Sequence, residues 1–179
     1  MKVVREKDRE EMMPELETLV NLWFWQRKKQ ECLLPSKDLF LKQVPADIME
    51  YNIVAKIQLE PFKVFYESAG HTLEVLYGRT LAGKNLDQLY NFWFRSLALN
   101  GYKKAIQERM PVYNSSSVAT ITKPVGYSKI LLPVMDLDFQ LYVLIFIFPQ
   151  DASIKKYQDW HALVEATPWL AESTPDTNP

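Results

Sequence analysis

The sequence predicts an α+β fold, a five-stranded antiparallel sheet with helices on one face and a further helix at the N-terminus. Two observations carry this. Apolar residues recur at helical spacing between Pro14 and Gln30 and again between Leu86 and Arg109. Strand-like runs fall into a pair before the second helix and a group of three after it, the pattern of hairpins around a helical insert.

The first helix aligns Leu16, Leu19, Val20, Trp23 and Arg27 on one face. Pro14 suits a first turn, where its missing N–H costs nothing. Glu15 and Glu17 lie at the positive end of the helix dipole, and Arg27, Lys28 and Lys29 at the negative end. Trp23, Phe24 and Trp25 are consecutive and cannot share a face, so aromatic surface is left for a partner or for the main body. Leu33 to Asp47 reads as irregular, punctuated by Pro35 and Pro45, with Ser36 or Asp38 able to cap a short turn.

Ile53 to Leu59 alternates as a half-buried strand, Glu60-Pro61 turns the chain, and Phe62 to Ser68 forms the next strand. Its inward set is Phe62, Val64, Tyr66 and Ser68, because Lys63 and Glu67 charge the other face. Leu73, Leu76 and Tyr77 make a short helical stripe that Gly78 ends. Asn85 caps the long helix, in which Gly101 marks a bend or break. Three strands follow, Val112–Thr122, Tyr127–Met135 and Leu141–Phe148. The last is apolar on both sides, as in a central strand covered twice. The expected organisation is an extension (1–13), the amphipathic helix (14–32), the main domain (33–150), a helical segment (151–170) and a disordered tail (171–179).

Composition removes several function classes. The chain has 179 residues and a net charge of -1, which lacks the basic balance of a dedicated nucleic-acid binder. One cysteine excludes an internal disulfide and a multi-cysteine zinc site. Two histidines and five glycines leave little for a histidine-rich metal centre or a phosphate cradle. Met1 to Glu11 mixes charges without the apolar core of a secretory signal, and the longest apolar run, Leu141 to Phe148, is far short of a bilayer span. A soluble cytoplasmic protein without cofactor, nucleic-acid partner or membrane is expected.

Four blocks then carry a family likeness. They are Leu22-Trp23-Phe24-Trp25-Gln26-Arg27-Lys28; Leu34-Pro35-Ser36-Lys37-Asp38; Phe65 to Gly70 with Leu76-Tyr77-Gly78-Arg79-Thr80-Leu81-Ala82-Gly83; and Leu131-Leu132-Pro133-Val134. In this order they resemble the LWxYW, PSxxD, GRxLxG and LLPL motifs of a bacterial single-domain PAS-like family, mainly alphaproteobacterial. The order of elements also matches a PAS domain. The chain departs from the family pattern at Glu67, where the family has Arg, at Thr80, where it has Asp, and at Asp136-Leu137-Asp138, where it has an Asp-Gly turn. The resemblance implies a PAS-like sensory or regulatory module.

Candidate sites follow from both readings. Tyr66, Tyr77, Tyr90, Trp93, Leu97, Ile130 and Leu132 are candidates for a pocket between the long helix and the sheet, with tyrosine hydroxyls orienting a ligand. Plain core is the competing reading of the same residues. Leu19, Trp23, Phe24 and Trp25 are candidates for a homodimer or partner face. Cys32 reads as structural, because no histidine lies near it and it precedes the first strand, unlike the Asn-Cys-Arg-Phe cysteine of flavin photosensors. His71 reads as a capping or surface residue and His161 as exposed; the long helix holds no histidine for haem. Gly78 and Gly83 let the loop around Arg79 and Lys84 turn or present N–H groups to an anion. Asp136 and Asp138 read as hairpin-turn residues. The expected function is non-enzymatic: a module that binds a small apolar or amphipathic ligand and signals through a protein partner. The alternative is a homodimerisation or docking module without ligand.

Overall fold

Strand β7 (Leu141–Pro149) sets the layering, because its two faces are equally apolar. Val143, Ile145 and Ile147 point into one core, and Tyr142, Leu144, Phe146 and Phe148 into another. A strand this apolar on both sides needs cover on both sides. The computed structural model, which describes residues 1–5, 12–77, 79–89, 92–119 and 124–150, supplies that cover.

One layer holds α1 (Pro14–Lys29), α2 (Lys37–Leu41) and α3 (Ala46–Met49). Leu16, Leu19, Val20 and Trp23 of α1, Phe40 of α2 and Ile48 of α3 all enter the second core. The other layer holds α4 (His71–Tyr77), α5 (Leu86–Leu89) and α6 (Phe92–Glu108), which bring Leu73, Leu86, Leu89, Tyr102 and Ala105 to the first core. Helices therefore cover both faces, not one. Each buried aliphatic or aromatic side chain contributes about 1.5–3 kcal/mol, so neither layer is dispensable.

The sheet is antiparallel and has seven strands in the order β1-β5-β6-β7-β2-β3-β4. The five expected strands are β2 (Asn52–Gln58), β3 (Lys63–Ala69), β5 (Val112–Ala119), β6 (Pro124–Met135) and β7. The two further strands are edge pieces of two residues, β1 (Lys2–Val3) beside β5 and β4 (Lys84–Asn85) beside β3. Residues this short carry no periodicity. The opening residues thus join the sheet, and Val4 is fully buried.

Two local departures have physical causes. The register between β2 and β3 shifts at Val54/Ala55, so Ala69 instead of Ser68 follows Tyr66 on the core face. Gly101 does not break α6; a Cβ there would meet the Met1 side chain and Leu131, so the glycine lets these approach the helix. The long helix expected from Leu86 is described as α5 and α6, and Asn85 opens α5 with its N–H donating to the Gln88 side chain. The peptide bond between Glu60 and Pro61 is cis. The expected helical segment and tail after residue 150 lie outside the described residues.

Candidate functional site

The α6 side of the sheet holds the polar groups nearest to the expected pocket. Tyr66 on β3 and Tyr102 on α6 are both buried, and their hydroxyls lie 2.8 Å apart. The pair joins helix to strand through a layer that is otherwise mostly apolar. Tyr77 is half-buried and packs against the same cluster. Leu97, Ile130 and Leu132 do not gather there. Leu97 is exposed at 49%. Ile130 and Leu132 are fully buried on the opposite face, in the α1 layer. Alternation along β6 causes this, because Leu131 is the residue that faces α6. Trp93 belongs to α6; Tyr90 lies outside the described residues.

Lys129 was not singled out from the sequence. It shares the parity of Tyr127 and Leu131 and so faces the α6 layer. Its neighbours across the ladder are Asn114 on β5 and Ile147 on β7. Along β2, β3, β5, β6 and β7 it is the one charged residue on that face among the described residues. Burial lowers its pKa from 10.5 to about 8. Its signal in the sequence was a lysine in register with core residues.

Loop residues 79–83 do present N–H groups to an anion, and the anion is the chain's own. Glu74 Oε1 accepts from the N–H groups of Leu81 and Ala82 at 2.9 and 3.0 Å. Gly83 takes the positive φ of 76° that the turn requires. Asp136 likewise closes its hairpin, with Oδ1 accepting from the N–H groups of Asp138 and Gln140. His71 is exposed at the start of α4, and His161 lies outside the described residues.

The partner-face candidates divide. Leu19 and Trp23 are buried against the sheet and offer no surface. The Trp23 indole N–H donates to the Pro133 carbonyl at 2.8 Å. Pro133 sits just past the last β5 pairing of β6, where a missing N–H breaks no β5 bond. Trp25 is 49% exposed, and it lines an open groove of about 660 Å³ with Asn21, Phe24, Arg27, Lys28, Glu31 and Cys32. The Cys32 thiol lies 3.7 Å from the Gln30 side-chain oxygen and 4.0 Å from the Arg27 carbonyl.

Residues of the four sequence blocks meet on the α1 side of the sheet, while Leu81 of the Leu76–Gly83 block lies in the core on the other side. Trp23 holds Pro133, the Met135 N–H donates to the Pro35 carbonyl, and Ser36 bridges Met135. Lys37 lies 3.5 Å from Glu67, and its ammonium sits 4.0 Å from the centre of the Tyr142 ring. Burial works to lower the Lys37 pKa, but Glu67 and Tyr142 outweigh it and the pKa is raised. These contacts dock α1 and the loop that follows it onto the sheet. Among the described residues no three His, Cys, Asp or Glu side chains group to hold a metal, and no helix is long and apolar enough to cross a membrane. The chain matches no protein-family model, and no curated protein is significantly similar to it.

Proposed function

We propose that this chain is a PAS-like, non-enzymatic regulatory module that holds a small apolar or amphipathic ligand between α6 and the sheet and signals through a separate protein. The element order of helix, two strands, helical insert and three strands supports the PAS-like reading. The observation that carries the ligand reading is the buried Tyr66–Tyr102 hydroxyl pair. A ligand that hydrogen-bonds either hydroxyl competes with a contact between β3 and α6, and so favours one helix position over another.

Native mass spectrometry of the purified protein, compared with the denatured mass, tests this. The expected result is a bound small molecule that is lost on denaturation and reduced in Tyr66→Phe. A protein that carries no small molecule, and takes up none from a panel of apolar and amphipathic compounds, overturns the reading.

The second reading, homodimerisation or docking, is favoured by the Trp25 groove. Light scattering of the full chain and of Trp25→Ser distinguishes it. A dimer dissociated by the substitution supports it, and a monomer in both counts against homodimerisation.

A further inference from the structure

We propose that the ligand of the α6 layer is an amphipathic anion, a carboxylate with an apolar body, and that Lys129 holds its head group. This rests on the ligand reading above. Lys129 places a lone charge on a sheet face whose other inward residues on β2, β6 and β7 are apolar or aromatic. Among the described residues no carboxylate pairs with its ammonium and no hydrogen bond from it is seen. A cation held partly away from water costs stability unless an anion meets it.

The surroundings fit the rest of such a molecule. Leu131 and Tyr127 flank Lys129 along β6, and Ile147 lies across on β7. α6 packs on the neighbouring Leu131 close to Gly101. Apolar walls on two strands with a single cation between them match a carboxylate head on a hydrocarbon tail. A neutral amphiphile would leave the ammonium unmatched, and a dianion would bring one charge too many.

Titration calorimetry with dodecanoate and dodecanol, below their aggregation limits, tests the proposal on the full chain at pH 7. Dodecanoate is expected to bind about tenfold to a hundredfold more tightly than dodecanol, the range of a charge-assisted contact. Lys129→Met should abolish that preference while still binding both, and Lys129→Arg should retain it. A thermal melt of each variant establishes that it is folded; Lys129→Met removes a charge from an apolar face and is expected to fold. Equal binding of the two probes by the parent chain overturns the role of Lys129 and leaves the ligand reading standing. A preference that survives in Lys129→Met does the same. Binding of neither probe, together with no co-purified molecule, overturns both.

Discussion

At the scale of single residues, Lys129 makes the sharpest claim about stability, and its sign follows from one lowered pKa. The unfolded chain keeps the lysine near 10.5, and the folded chain holds it at about 8 because burial disfavours the ammonium. Below pH 8 both states carry the proton, and the folded state bears the full cost of the charge. Between pH 8 and 10.5 the unfolded state binds more protons, so this contribution to stability rises with pH. Above 10.5 the cost is gone. Lys129→Met should therefore stabilise the protein at pH 7, by up to about 3 kcal/mol at 1.4 kcal/mol per pH unit. Paired urea titrations at pH 7, 9 and 10.5 check this: the advantage of the variant should shrink as pH rises, and a constant difference would refute it. Tyr66 was legible in the sequence because β3 alternates charge against apolar residues. Ile130 and Leu132 were assigned to the wrong layer because β6 is apolar on both faces around them, and period-two patterning then carries no parity.

At the scale of elements, glycines separate joints that cannot yield from contacts that can. Gly70 sits between β3 and α4, where a Cβ would run into the backbone carbonyl of Glu50, and its N–H donates to Asn52 at 2.7 Å. The backbone there is fixed by the start of β2, so Gly70→Ala should cost about 2 kcal/mol or more in chemical denaturation. Gly101 meets Met1 instead, with the Met1 sulfur 2.7 Å from the ideal Cβ position. A methionine end can move, and alanine gains about 1 kcal/mol of helix propensity. Gly101→Ala should stay within about 1 kcal/mol of the parent. Equal losses in both variants would mean that the two glycines are packed alike, contrary to this distinction. Helix α1 was legible almost to the residue, since Pro14 starts it and its charges follow the dipole. The edge strands β1 and β4 were not, since two residues show no alternation and are defined by their partners on β5 and β3.

At the scale of the whole molecule, the two-sided cover changes how a signal of the proposed kind would travel. The sequence predicts helices on one face of the sheet and a further helix at the N-terminus. The apolarity of β7 on both sides was the clue to a second layer, and it was legible; its consequence for α1 was not, because only docking shows that Trp23 faces Pro133. α1 and α6 now lie on opposite sides of one sheet. Any change under α6 reaches α1 through strands whose alternate residues serve the two cores: on β6, Leu131 faces α6 while Ile130 and Leu132 face α1. Such a sheet should behave as one rigid unit. β7 pairs with β6 from Leu141 to Pro149 and with β2 from Tyr142 to Phe146, and both its faces are buried. Native-state hydrogen exchange should therefore find its hydrogen-bonded amides, with those of β2 and β6, opening only with global unfolding, while the amides of β1 and β4 exchange through local fraying. α1 supplies four deeply buried side chains to its core, so its central amides should open at free energies close to those of β7. If α1 instead exchanges several kcal/mol below β7 in the free protein, it is a separable lever and not part of the rigid unit. The proposed signal would then travel by undocking Trp23 from Pro133, and not by a shift relayed through the sheet.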